Sequence, residues 1–187
     1  MNFDFSDDQK LLRDQARKFL QDKCDRSVVR SILEDNNQKY AKNLWKEISE
    51  MGWNGTAIPE EYGGLGLGML ELCVIAEELG RSLAPTPFSS SIYLFAEFIK
   101  SYGNEEQKKK YLPKIASGEF IGTFALSETN GTPRPNNIKA IVSDGKLNGE
   151  KTPVNDGEVA DVIIVAANSD NNANHNSLSL YLVEKDD

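Results

Sequence analysis

Residues able to do acid–base, nucleophilic or metal chemistry are sparse in this sequence, and their spacing narrows what they could do. The one histidine, His175, lies in the polar run Asn168-Ser-Asp-Asn-Asn-Ala-Asn-His-Asn176, whose loop composition predicts exposure rather than catalysis or ligation. Cys24 and Cys73 are the two cysteines; they cannot build a disulfide framework, match no metal-binding spacing, and are read as buried small apolar residues. No Ser/His/Asp or Cys/His system can be assembled, so the sequence predicts no catalytic residue and no metal ligand. In Tyr62-Gly-Gly-Leu-Gly66 the glycines permit turns and close backbone approach. No strand precedes them as nucleotide-binding motifs require, and the stretch is read as a helix connector. Ser127 follows an apolar strand candidate, and by itself it reads as an ordinary polar residue.

Composition removes further functions. The formal charge of −8, from 21 basic and 29 acidic residues, provides no basic field for a phosphate backbone, and nucleic-acid binding is not expected. Lys108-Lys-Lys110 is the only basic run, following Glu105 and Glu106 in a helical stretch, and reads as a solvated face. No apolar run approaches the ~20 residues of a membrane span. The acidic opening Met1-Asn-Phe-Asp-Phe-Ser-Asp-Asp8 resembles neither a secretory nor an organelle leader, so a cytoplasmic location is expected.

The elements that must position these residues fall into two groups. Ser6-Asp-Asp-Gln9 predicts a capping box, followed by an apolar stripe at Leu12, Ala16, Phe19 and Leu20 on a helix running towards Cys24. Leu44, Ile48 and Met51 predict a second helix ended at Gly52. Leu72, Ile75, Ala76 and Leu79 predict a third closed by Gly80, and Ile92, Phe95, Ala96 and Ile99 a fourth closed by Gly103. Asn104-Glu-Glu-Gln107 opens a short fifth helix, whose extension Pro113 should limit. After Gly118 the period becomes strand-like. Residues 121–126, 138–143, 146–151, 160–167 and 178–183 are strand candidates, with Asp144-Gly145 as a tight hairpin turn. Helices followed by strands without alternation predict an α+β protein. Its domains are an all-α helical bundle over 1–118 and an incomplete antiparallel β domain over 119–187. About 70 residues are too few for that sheet to close by itself, and something outside the sequence is expected to cover its edge.

Seven motifs carry a resemblance across essentially the whole chain. Phe5-Ser-Asp-Asp-Gln-Lys-Leu-Leu-Arg13, Pro59-Glu-Glu-Tyr-Gly-Gly-Leu-Gly66, Glu77-Glu-Leu-Gly-Arg81, Gly103-Asn-Glu-Glu-Gln-Lys108 and Tyr111-Leu-Pro-Lys-Ile-Ala-Ser-Gly-Glu119 resemble acyl-CoA dehydrogenases in order and separation. Phe124-Ala-Leu-Ser-Glu128 and Leu147-Asn-Gly-Glu-Lys151 resemble that family's flavin-side strands. The resemblance implies an FAD-dependent α,β-dehydrogenation of acyl-CoA thioesters, with electron-transfer flavoprotein as acceptor. It places flavin contacts at Phe124, Leu126 and Ser127, and further contacts at Val154 and Asn155. The family's catalytic carboxylate lies on a C-terminal helical domain, implying that a longer chain, a homo-oligomer or a complementing C-terminal chain supplies it. Three positions depart from the pattern: Pro133 stands where the family has a serine hydroxyl, Pro153 where it has an aromatic ring, and Asn155 where it has a further hydroxyl. They keep open a second reading, a non-catalytic interaction module that has lost flavin.

Overall fold

The computed structural model describes residues 4–35, 37–128, 132–169 and 178–185. His175 and residues 129–131 lie outside the described residues.

Helix α1 (Asp7–Lys23) begins at the expected capping box: the Ser6 hydroxyl accepts from the Gln9 amide, and the Gln9 side chain accepts from the Ser6 amide. Helix α2 (Arg26–Glu34) has no counterpart in the periodicity reading. It buries no residue fully, and a short helix with a narrow apolar stripe leaves little pattern to read. Its start is nonetheless marked locally, because the Asp25 carboxylate accepts from the Ser27 and Val28 amides. Helix α3 (Lys42–Glu50) buries Leu44 and Ile48 as expected, whereas Met51 is exposed. Helix α4 (Met69–Arg81) continues one residue past Gly80, and Leu83 then takes a left-handed conformation, φ +52°.

The glycine connector between α3 and α4 is structural. A Cβ on Gly64 would lie 2.0 Å from the Ile58 carbonyl oxygen, and the connector binds residues 55–58 through the amides of Leu65, Gly66 and Leu67. The expected fourth helix is wound more widely over Ser89–Ala96 before tightening into α5 (Glu97–Tyr102). Ser90 and Ser91 on the wide stretch are fully buried, and the Ser91 hydroxyl accepts from the Gly122 amide. Helix α6 (Glu105–Ala116) opens with the Asn104–Gln107 capping box but runs three residues beyond Pro113. The pyrrolidine ring is exposed, while Leu112, Ile115 and Ala116 are buried; their burial outweighs the hydrogen bond that proline removes.

A sheet follows, in the order helices then strands. Its strands are β1 (Gly122–Ala125), β2 (Ile141–Ser143), β3 (Lys146–Asn148), β4 (Val162–Asn168) and β5 (Leu178–Glu184). The β2–β3 hairpin turns at Asp144-Gly145, with φ of +51° and +73°, as its sequence predicts. The expectation of antiparallel pairing throughout is corrected: β1 and β2 both pair with β4 in parallel, while β3 with β2 and β5 with β4 are antiparallel. The cause is visible in β4, where Val162-Ile-Ile-Val-Ala-Ala167 is an unbroken apolar run rather than an alternating one, the pattern of a strand covered on both faces.

Helices and sheet share one core. Ile121, Val162 and Ile164 pack in the same cluster as Phe95, Tyr111 and Ile115. At the seam, a Cβ on Gly122 would fall 2.2 Å from the Phe95 ring, so glycine there lets strand and helix approach. A smaller cluster, Ile138, Ala140, Ala166 and Ala167, lies beyond, with Phe124 and Leu126 against it. Cys24 is buried as expected; Cys73 is exposed, because it falls off the inward stripe of α4.

Candidate functional site

The chain leaving β1 carries the first three predicted site residues. Phe124 and Leu126 alternate with Ala125 and so point to one face of the strand; both are half-buried. The Phe124 ring lies 4.7 Å from the Phe98 ring, tilted 33°, fixing its orientation. Ser127 is half-buried, and its hydroxyl makes no hydrogen bond among the described residues. Its carbonyl accepts from the Thr152 amide at 2.9 Å, which lays the 151–155 segment alongside β1. One turn of contact further, the Thr123 hydroxyl donates to the Asn155 carbonyl at 2.6 Å. The two segments therefore form one edge: Val154 is half-buried in it and Asn155 is exposed.

An ionic clip holds that edge. Lys151 Nζ donates to Glu128 at 2.8 Å and to the Leu126 carbonyl at 3.1 Å; the two side chains are only 8% and 13% exposed. The Glu128 carboxylate also accepts from the Ala140 and Lys139 amides. Burial pushes its carboxyl up, but Lys151 and the two amides outweigh that, and the net effect holds it below the usual glutamate range. Glu128 is thus engaged on every side and is not placed to abstract a proton.

On the far side, the 154–156 segment is tied to the wide helical stretch. The Ser90 hydroxyl donates to Asp156 at 2.6 Å, and Asp156 sits at φ +53°. Lys151, Thr123, Ser90 and Asp156 escaped the sequence reading as site residues. Glu128 and Lys151 lie 23 residues apart on segments that the sequence does not show to be neighbours, so no local signal pairs them. Pro133 and Pro153 are both exposed. Among the described residues no cluster of His, Cys, Asp or Glu could hold a metal, and no helix is long and apolar enough to cross a membrane.

What the edge offers chemically is the half-buried Phe124 and Leu126, followed in the chain by Ser127, whose hydroxyl makes no hydrogen bond among the described residues. That suits a flat, partly apolar ring bearing hydrogen-bond acceptors. It offers no acid–base pair.

Comparison with known proteins gives a consistent outcome. The family model for the acyl-CoA dehydrogenase N-terminal domain matches residues 6–119. Mitochondrial isovaleryl-CoA dehydrogenase of Arabidopsis thaliana is 34% identical over 187 residues, covering 97% of this chain and 46% of the plant protein. Among solved structures, acyl-CoA dehydrogenase from Geobacillus kaustophilus superposes with a TM-score of 0.87 at 29% identity, covering 100% of this chain and 50% of that one. Butyryl-CoA dehydrogenase from Megasphaera elsdenii gives a TM-score of 0.80 at 27% identity, with 99% and 50% covered. The chain thus spans about half the length of the relatives it matches.

Proposed function

Because this chain belongs to the acyl-CoA dehydrogenase family, we propose that its β1 edge is the flavin-contacting surface of an FAD-dependent enzyme that dehydrogenates acyl-CoA thioesters between Cα and Cβ. The observation that carries this reading is the Ser127 hydroxyl, which makes no hydrogen bond among the described residues and follows Phe124 and Leu126 on an edge clamped by the Lys151–Glu128 pair. Phe124, Leu126, Ser127, Val154 and Asn155 would border the ring of FAD. When bound, FAD supplies the hydride acceptor that no amino-acid side chain can provide. The chain's own part is to orient that ring: Phe124 and Leu126 exclude water from one side, and Ser127 donates a hydrogen bond. The proton-abstracting carboxylate is assigned to no residue of this chain, since Glu128 is committed to Lys151 and two amides. A homo-oligomeric partner or a complementing C-terminal segment would supply it, and electron-transfer flavoprotein would take the electrons.

A second reading, an interaction module without flavin, is favoured by one feature: the exposed Pro133 and Pro153 offer no donor where the family pattern has a serine and an aromatic ring. Titration of the purified chain with FAD separates the two. The expected result is weak, saturable binding that Ser127→Ala weakens several-fold, the equivalent of about 1 kcal/mol for one lost hydrogen bond, with no acyl-CoA turnover in a dye-reduction assay. No saturable binding of FAD, with the native and Ser127→Ala proteins alike, would support the module.

A further inference from the structure

Away from the β1 edge, four arginines line one groove. Arg17 on α1, Arg26 and Arg30 on α2, and Arg81 at the end of α4 surround a space of about 630 Å³, within the range of small-molecule sites. Leu20, Cys24, Val29 and Leu83 contribute its apolar lining.

The arginines divide into two pairs. Arg17 and Arg81 converge on Glu78, whose side chain is wholly buried; Arg17 makes a two-pronged contact at 3.0 and 2.7 Å, and Arg81 approaches to 3.3 Å. Arg81 also meets Glu77 at 3.2 Å. That pair is accounted for by carboxylates and holds α1 against α4. Arg26 and Arg30 are different. They stand four residues apart on α2 and so share a face, both are exposed, and among the described residues neither lies within ion-pair distance of a carboxylate. Asp25, also lining the groove, accepts from the Ser27 and Val28 amides and the Ser27 hydroxyl through Oδ1, and its single negative charge leaves the two guanidinium groups in excess. In a chain of net charge −8, two unmatched guanidinium groups at one groove are a local excess of the opposite sign.

Leu83 adds apolar surface at the same groove. It is 71% exposed and held at φ +52°, a conformation that disfavours a bulky side chain. That position closes α4, where the Ala84 amide reaches back to the Leu79 carbonyl at 3.0 Å, and it leaves the Leu83 side chain at the groove.

We propose that this groove binds a small amphipathic anion, an alkyl carboxylate or alkyl phosphate. The headgroup lies on the Arg26 and Arg30 forks, whose planar donors match both anions, and the tail lies over Val29 and Leu83. The site shares no residue with the β1 edge, so it stands or falls independently of flavin binding.

Calorimetric titration of the whole chain tests it with four probes: octanoate, octyl phosphate, inorganic phosphate and octanol. The expected result is saturable binding of at least one of the first two, with a dissociation constant on the order of 0.1 mM, and binding of inorganic phosphate and octanol weaker by about tenfold or more. Preference for octanoate or for octyl phosphate identifies the headgroup. Arg26→Gln combined with Arg30→Gln should lower affinity about tenfold. Leu83→Asn, which suits a left-handed position and so keeps the fold, should weaken the tailed probes several-fold while leaving the circular dichroism spectrum unchanged. Absence of saturable binding by either tailed anion, equal binding of octanol, or affinity untouched by both variants would overturn the proposal.

Discussion

Lys151 has a side chain only 8% exposed, and an ammonium so enclosed persists only with a carboxylate beside it. Glu128 fills that place, and the pair joins residues on either side of the β2–β3 hairpin, at the base of the edge that carries Ser127. Removing one partner leaves the other charge buried and uncompensated. Lys151→Met should therefore cost about 3 kcal/mol at neutral pH, read from urea denaturation. The pH dependence has a definite sign. In the native chain the Glu128 carboxyl lies below its ordinary value of 4.5, so its contribution is complete above that pH and is lost as pH falls through the folded value. In the variant burial acts without the ammonium and raises the carboxyl, so acidification relieves the penalty. The stability gap between the two proteins should narrow as pH falls from 7 towards 4; a gap that stays constant would show that Lys151 matters for packing rather than charge.

Among the elements, α6 shows tertiary packing overriding a local breaker. Pro113 sits inside the helix, where it deprives the Lys109 carbonyl of its usual donor and crowds it. The buried residues on either side, Leu112 and Ile115, keep the turn in place. The Tyr111 hydroxyl adds a hydrogen bond to Glu184 at 2.6 Å, and Lys110 pairs with the same carboxylate. With the helix held from outside, Pro113→Ala should recover part of the proline cost and stabilise the protein by about 1 kcal/mol, the loss of unfolded-state rigidity offsetting the rest. A rise in the urea midpoint at unchanged slope checks this. No rise, or a fall, would mean that the backbone has already relaxed around the ring.

At the scale of the whole molecule, the helices and the sheet are one packed body. Val162 is fully buried on β4 yet belongs to the cluster of Phe95, Tyr111 and Ile115. Both tryptophans, Trp45 and Trp53, lie in the helical part of that cluster, so their fluorescence reports on helices while the substitution is made in the sheet. Val162→Ala should destabilise by about 2 kcal/mol, and the tryptophan and far-ultraviolet transitions should shift together. A tryptophan transition left in place would establish two independently folding units.

What the sequence determined by itself is what a few neighbouring residues can settle. The capping box at Ser6, the helix start at Asn104, the Asp144-Gly145 hairpin and the passage from helical to strand period were all legible, because each is written in residues close together in the chain. The motifs that resemble the family were legible for the same reason, being continuous in the chain. Only the tertiary structure decided which strands flank β4, since an apolar run states that both faces are covered without saying by what. It alone joined Lys151 to Glu128 across 23 residues and Arg17 to Glu78 across 61. A charge in the sequence has the same letter whether it is solvated or buried; its role is set by the partner and the dielectric that distant segments bring to it.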